Sequence, residues 1–238
     1  MKMGFQYTLA VSAVAVLTAC GGGGSGGATQ AQTLYPLSTI LTNYVNNASS
    51  TYFTFTGTFK VGTNANEISG SGQYAENTVS STFNGQSALR KTQTMTGAMT
   101  LNGTSENLNS IAYYYFDSKH QPLASNMSGA YCETTQIKSI PMYVTVGQSG
   151  EWYAADCYTS SNKAVRLGAG VTQFSIAYVS EKTADLILDQ KITDSSGLIT
   201  IPGKTIYRIT DTGGITFREQ SLTLDYGEIS LRMTAKAI

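Results

Sequence analysis

Apolar and polar side chains alternate along most of this chain, and the alternation restricts its fold more than any other feature. The apolar face of the segment 52–61 consists of Phe53, Phe55, Phe59 and Val61. A second segment, 89–101, repeats the pattern with Leu89, Met95, Met99 and Leu101. Because successive side chains of a strand point to opposite faces, both segments are predicted to be half-buried strands. Gly57, within the first segment, indicates a point that another backbone approaches closely.

Short connections with turn chemistry separate the strand segments and indicate an antiparallel sheet. Three of them are Gly147–Gly150, Asp194–Gly197 and Asp211–Gly214. In such turns Asp accepts local backbone hydrogen bonds, and Gly adopts the positive φ that tight hairpins require. A membrane-spanning barrel would also use alternating strands, but the uneven segment lengths and the lack of a recurring aromatic girdle disfavour it.

One segment near the start of the body has the period of a helix. Its apolar stripe consists of Leu37, Ile40, Leu41, Tyr44 and Val45, spaced as one face of a helix requires. Pro36 suits the first helical position. We predict a helix over Pro36–Ala48 that packs on the sheet. The predicted fold is therefore mainly β, a curved antiparallel sheet in the form of a half-barrel or a sandwich of hairpins, with one N-terminal helix.

Charge and motifs argue against several classes of function. Fifteen Lys and Arg balance fifteen Asp and Glu, so no basic excess supports nucleic-acid binding. His120, the single histidine, lies in a polar turn before Pro122, and too few ligands exist for a metal site. Asp211-Thr212-Gly213 resembles the catalytic triplet of aspartic proteases, but its surroundings favour a hairpin turn. We expect no catalysis, no cofactor and no metal.

The first twenty residues have the features of an export signal. A positive start is followed by an apolar run and by Leu17-Thr18-Ala19-Cys20. These four residues resemble the lipobox of bacterial lipoproteins, which implies cleavage before Cys20 and its lipidation. Gly21, next to it, implies sorting to the outer membrane, in either leaflet. The alternative is an ordinary signal peptide with a chance cysteine. We predict a signal peptide at 1–19, a lipidated Gly-rich tether at 20–33 and a single β domain at 34–238.

The two remaining cysteines predict a disulfide. Export places Cys132 and Cys157 in an oxidising compartment, and their number is even. A bridge between them would close a loop that contributes roughly 3 kcal/mol to stability. The alternative is a pair of buried free thiols.

The order of elements resembles the half-barrel lipid-carrying lipoproteins of the bacterial envelope. In both, a helix precedes a strand, here the segment 52–58, and a second strand follows with Ile68-Ser69-Gly70-Ser71-Gly72. The segment 222–228 resembles the closing strand and turn of that family, although its closing proline is missing and the middle of this chain is denser in hairpins. The resemblance implies a concave apolar cavity that binds an acyl chain.

These features together predict a non-catalytic binding protein that the lipid anchor holds at the membrane. Its candidate ligand is hydrophobic, and the candidate ligand wall consists of Phe53, Phe55, Met95, Tyr113 and Tyr115. The last two belong to the densest aromatic run, which equally suits a central strand covered on both faces. The alternative is a protein-interaction module, such as a surface binder or a periplasmic inhibitor or immunity lipoprotein.

Overall fold

One helix and twelve antiparallel strands follow each other along the chain. The structure is a computed structural model that describes residues 32–101, 103–127, 130–194, 199–226 and 229–238. The elements are α1 (Leu37–Asn46), β1 (Ser49–Val61), β2 (Asn64–Phe83), β3 (Gln86–Leu101), β4 (Thr104–Phe116), β5 (Pro122–Met127), β6 (Ala130–Ile137), β7 (Ser149–Tyr158), β8 (Arg166–Ser180), β9 (Thr183–Asp194), β10 (Ile199–Thr210), β11 (Ile215–Tyr226) and β12 (Ile229–Ala237).

The sheet closes on itself, which corrects the expectation of a half-barrel or a sandwich. Every strand pairs with its neighbours in sequence, and β1 also pairs with β12 from Phe53↔Ala237 to Val61↔Ile229. The apolar and polar side chains of β1 and β12 would alternate in the same way in an open sheet and in a closed one. The alternation therefore predicts each strand but not the pairing of the first strand with the last. The mainly β, antiparallel character was predicted correctly.

Glycines bring neighbouring strands into close approach where the sheet curves. Gly72 lies opposite Gly97 in the β2–β3 pair. A Cβ on Gly97 would lie 2.2 Å from the carbonyl oxygen of Ser71 and 2.6 Å from the Cα of Gly72. Gly57 is similar, since its Cβ would lie 2.2 Å from the carbonyl oxygen of Arg232. The close approach predicted at Gly57 is therefore confirmed, and its partner is the backbone of β12. Glycine at such positions permits the curvature that a barrel needs.

Helix α1 packs against the inner face of the barrel through the predicted stripe. Its buried residues are Leu37, Ile40, Leu41, Tyr44 and Val45, which confirms the sequence prediction. The Tyr44 ring makes edge contacts with Phe116 at 6.2 Å and with Tyr207 at 5.4 Å between centroids. Tyr35, just before the helix, exchanges backbone hydrogen bonds with Val144 in the connection between β6 and β7.

A buried ion pair fixes the C-terminal end of the helix. The fully buried Lys91 donates from Nζ to the carbonyl oxygen of Tyr44 at 2.6 Å and to that of Asn47 at 3.3 Å. Its ammonium lies 3.1 Å from the Glu76 carboxylate. The last carbonyls of a helix have no partner within the helix, so Lys91 provides one from the barrel wall. Burial lowers the pKa of Lys91, and the Glu76 carboxylate opposes that shift only in part.

One predicted turn is present in the structure, whereas several other predicted segments lie outside the described residues. The turn at 211–214 connects β10 and β11 as predicted, with Gly213 at φ +92°. The turn predicted at 194–197 falls mostly outside the described residues, as do the signal peptide, Leu17-Thr18-Ala19-Cys20 and the tether to residue 31. Residues Gln32–Ile238 form one compact unit. Among the described residues, no helix has the length and apolar character needed to cross a bilayer.

Candidate functional site

Helix α1 lies at one of the two ends of the barrel lumen. At this end, which we call the plugged end, α1 contacts the connections between strands. Asn43 Nδ2 donates to the Gly213 carbonyl at 2.9 Å, and His120 Nε2 lies 3.1 Å from Asn46 Oδ1. We call the opposite end, where β1 meets β2 and β3 meets β4, the mouth. The lumen of the closed barrel between the two ends is the natural place for a site.

Inward-facing side chains change from apolar to polar at mid-height in the lumen. On β9, the inward residues from the plugged end to the mouth are Ala184, Leu186, Leu188, Gln190 and Ile192. Polar residues of β2, β3, β4, β7, β8, β10 and β11 also border the lumen and form with Gln190 a band of uncharged polar residues. We call this band the polar ring, and its members are Tyr74, Gln93, Tyr114, Tyr153, Thr172, Gln190, Thr205 and Gln220.

Part of the polar ring is fixed by the buried ion pair behind it. Tyr74 Oη donates to Glu76 Oε1 at 2.6 Å, and Gln93 Nε2 donates to the same oxygen at 2.9 Å. Gln93 Nε2 also lies 3.2 Å from the hydroxyl of Tyr44 on the helix. These contacts connect α1, the ion pair and the polar ring into one buried hydrogen-bond network, which stiffens that side of the lumen.

Other members of the polar ring keep hydrogen-bonding capacity. Gln190 Nε2 makes a long hydrogen bond of 3.4 Å to Tyr153 Oη. In the part of the chain that the structure describes, no hydrogen bond occupies the side chains of Thr205 and Gln220, and both are only half-buried. These groups offer donors and acceptors to a molecule in the lumen.

The tyrosines of the polar ring are neutral donors. Burial raises the pKa of Tyr114, and the neighbouring Tyr153 and Glu76 raise it further. Burial also raises the pKa of Tyr153, although hydrogen bonds from Thr172 and Gln190 oppose that shift. Both hydroxyls therefore stay protonated at neutral pH and contribute no charge to the lumen.

Between the polar ring and the mouth, the inner wall is apolar. Partly buried side chains there pack against the core, and they are Phe59, Met99, Leu101, Leu108, Leu231 and Met233. Their partial burial means that they retain surface for contact with an apolar molecule, in contrast to the filled plugged end.

The cavity between the plugged end and the mouth has a volume of about 290 Å³. This volume is near the lower limit of small-molecule sites, which begin at roughly 300 Å³. β4 begins at Thr104 but pairs with β5 only over Tyr113–Phe116. On the β5 side, no described strand pairs with the rest of β4, and Leu108 in this part borders the cavity.

No carboxylate side chain borders the cavity among the described residues. Lys191 and Lys204 do border it, but each lies between two inward-facing neighbours and is exposed on the outside of the barrel. The charges of Glu76 and Lys91 lie behind the polar ring and pair with each other. A molecule in the cavity therefore meets apolar and uncharged polar groups only.

The two cysteines form part of the cavity wall. Cys132 on β6 lies directly opposite Cys157 on β7, and a disulfide joins them. Both face the lumen, next to Ala155. This geometry agrees with the disulfide that the sequence predicts, and the bond ties β6 to β7.

The five residues of the predicted ligand wall lie in three different places in the structure. Met95 borders the cavity. Phe53 and Phe55 are buried in the core beside it and do not border it. Tyr113 and Tyr115 lie on the outer face of β4, where Tyr113 packs under Arg90 and Tyr115 contacts Phe83.

The aromatic run is divided between the two faces of β4. The alternation along 113–116 predicts that Tyr113 and Tyr115 share one face and that Tyr114 and Phe116 share the other. It does not reveal which of the two faces points inward, because both are aromatic. In the structure Tyr114 and Phe116 face the lumen. The polar ring was missed because glutamine and threonine on a strand usually indicate a solvent-facing side.

The groups considered for catalysis lie at the plugged end. His120 adopts a positive φ of 61° in the turn between β4 and β5, and Asp211 lies in the turn between β10 and β11. No second carboxylate pairs with Asp211 among the ion pairs and hydrogen bonds of the described residues. That part of the chain also has no group of three His, Cys, Asp or Glu that could hold a metal ion.

Comparison of the chain with protein-family models, with curated proteins and with solved structures found no match.

Proposed function

We propose that this protein binds a small apolar or amphipathic molecule in the lumen of its barrel and performs no covalent chemistry on it. The observation that carries the proposal is the cavity of about 290 Å³ between the filled plugged end and the mouth. Apolar lining with a few oriented polar groups is typical of small-molecule sites. Among the described residues around this cavity, the charges are paired and no nucleophile lies beside a base, which favours binding over catalysis.

We further propose that Cys20 anchors the protein to the cell envelope by a lipid. The described chain begins at the plugged end, where Thr33 Oγ1 donates to the Glu181 carbonyl at 2.8 Å. The proposal rests on Leu17-Thr18-Ala19-Cys20, which resembles the lipobox of bacterial lipoproteins, and on the Gly-rich residues that follow it.

The test of lumen binding is fluorescence titration of the full chain with N-phenyl-1-naphthylamine, a neutral dye that emits strongly in apolar sites. Ser110 borders the cavity, lies opposite Met95 and is exposed to its space. The Ser110→Phe variant should fill the cavity and weaken dye binding at least tenfold. Asn109→Phe is the matched control, because Asn109 is the exposed neighbour that faces outward. Equal binding by both variants, or no dye binding by the wild type, would contradict the proposal.

A protein-interaction surface is the second candidate function, and the outer face of β4 favours it. There Phe83, Arg90, Tyr113 and Tyr115 form an aromatic cluster around a guanidinium. Within the described residues the buried Arg90 Nε has no hydrogen-bond partner. Tyrosine and arginine are enriched in protein interfaces. If this cluster is the functional surface, Arg90→Ala should abolish partner capture and leave dye binding unchanged.

A further inference from the structure

We propose that the natural ligand is an uncharged amphiphile whose polar head lies in the polar ring and whose aliphatic tail extends toward the mouth. This inference rests on the proposed function of the lumen and specifies its ligand class. It depends on the order of polar and apolar groups along the cavity and on the absence of a free charge at its inner end.

The order of groups fixes the orientation of the ligand. On β3 the inward residues from the plugged end to the mouth are Lys91, Gln93, Met95, Gly97 and Met99. The polar positions therefore lie at the inner end of the cavity and the apolar positions near the mouth. A tail placed at the inner end would leave the free hydrogen-bonding groups of Thr205 and Gln220 without partners, which is costly in a site that excludes water.

The charge state of the inner end fixes the nature of the head group. The only buried cation behind the polar ring, among the described residues, is Lys91, and its ammonium already contacts Glu76 and two helix carbonyls. A carboxylate or phosphate head would enter the cavity without a cation to pair with. An ammonium head would likewise find Glu76 already bound by Lys91, Tyr74 and Gln93. Burial of an unpaired charge is strongly unfavourable, whereas a hydroxyl or amide can use the neutral donors and acceptors of the ring.

The discriminating experiment compares dodecan-1-ol with dodecanoate as competitors of N-phenyl-1-naphthylamine in the full chain at pH 7.5, below the solubility limit of dodecan-1-ol and the critical micelle concentration of dodecanoate. The two molecules share a twelve-carbon chain and differ in the charge of the head. We expect dodecan-1-ol to displace the dye at a concentration at least tenfold lower than dodecanoate. Equal or stronger displacement by dodecanoate would overturn the inference and leave the proposed function intact. Failure of the dye itself to bind would instead contradict the proposed function.

A double variant tests the position of the head. Thr205→Val with Gln220→Leu removes two free polar groups of the ring while it keeps their approximate size. The inhibition constant of dodecan-1-ol, calculated with the dye affinity measured for each variant, should rise about fivefold, a loss typical of one or two hydrogen bonds. Lys204→Gln, on the outward-facing position next to Thr205, is the control and should leave this constant unchanged. Unchanged competition by dodecan-1-ol in the double variant would place the head outside the polar ring and overturn the inference.

Discussion

The two halves of this barrel are built from the same alternating strands but are filled in different ways. In the plugged half, inward side chains such as Leu186 and Ile209 are fully buried beneath α1. In the mouth half, residues such as Met99 and Leu108 remain partly accessible. Between them lies the polar ring. The comparison shows that the helix turns one half into a conventional core, and that the other half keeps free apolar surface for binding.

The largest expected effect concerns the ion pair that joins the helix to the barrel. Lys91→Met removes the cation, leaves the Glu76 carboxylate buried and frees two helix carbonyls. We expect a loss of about 3–5 kcal/mol in the free energy of unfolding, measured by urea denaturation. The double variant Lys91→Met with Glu76→Gln should recover part of this loss. Lys191→Met, at an exposed lysine, is the control, with an expected change within about 0.5 kcal/mol. Equal losses in the two single variants would show that the ion pair does not secure the plugged half.

Truncation of matched apolar residues tests the difference in filling directly. Leu186 is fully buried in the plugged half, so Leu186→Ala should cost about 2–5 kcal/mol. Met99 lies near the mouth and is only partly buried, so Met99→Ala should cost about 1 kcal/mol. Both values come from urea denaturation in the same buffer. A cost for Met99→Ala as large as that for Leu186→Ala would mean that the mouth half is also a filled core.

The disulfide connects β6 with β7, and its removal should weaken the mouth half most. Replacement of Cys132 and Cys157 by Ala should lower the free energy of unfolding by about 3 kcal/mol, the value for a loop of this order. Amide exchange in β6 and β7 should increase more than exchange in α1. Reduction of the wild type should reproduce the same loss. If reduction leaves both stability and exchange unchanged, the two thiols are not bonded in the protein.

Alkaline pH should act mainly through the buried tyrosines around the plugged half. Burial raises the pKa of Tyr44, Tyr74 and Tyr207 above the ordinary value of 10.0. Because the unfolded chain loses these protons first, their contribution is complete below pH 10 and is lost as pH rises above it. The lowered pKa of Lys91 has the opposite effect on the pH dependence of stability. Only this one lysine opposes the effect of the three tyrosines.

Urea denaturation at pH 8 and at pH 10.8 measures this loss of stability. Tyr207→Phe should reduce the difference between the two pH values, whereas Tyr52→Phe, at an exposed tyrosine, serves as the control. A pH dependence that is the same in the wild type and in Tyr207→Phe would contradict the assignment.

The sequence was sufficient for local structure but not for closure. The helix stripe from Leu37 to Val45 and the strand around Phe53 and Phe55 follow from periods of 3.6 and two, because burial on one face imposes these periods. The pairing of β1 with β12 joins residues as far apart in sequence as Phe53 and Ala237, and no local pattern records it. Sequence reasoning also assigned Gln93 and Gln220 no role, since only the closed barrel turns a polar strand position into the wall of a cavity.

The most direct test of the lumen site uses methionine methyl groups as reporters. Met95, Met127 and Met233 border the cavity, whereas Met142 is 66% exposed at the plugged end. The full chain labelled with ¹³C at methionine methyl groups would be titrated with dodecan-1-ol and followed by NMR. We predict that the resonances of Met95, Met127 and Met233 shift together along one binding curve while that of Met142 stays fixed. Shifts confined to Met142, or no saturable shift at the three lumen residues, would contradict the binding of a ligand inside the barrel.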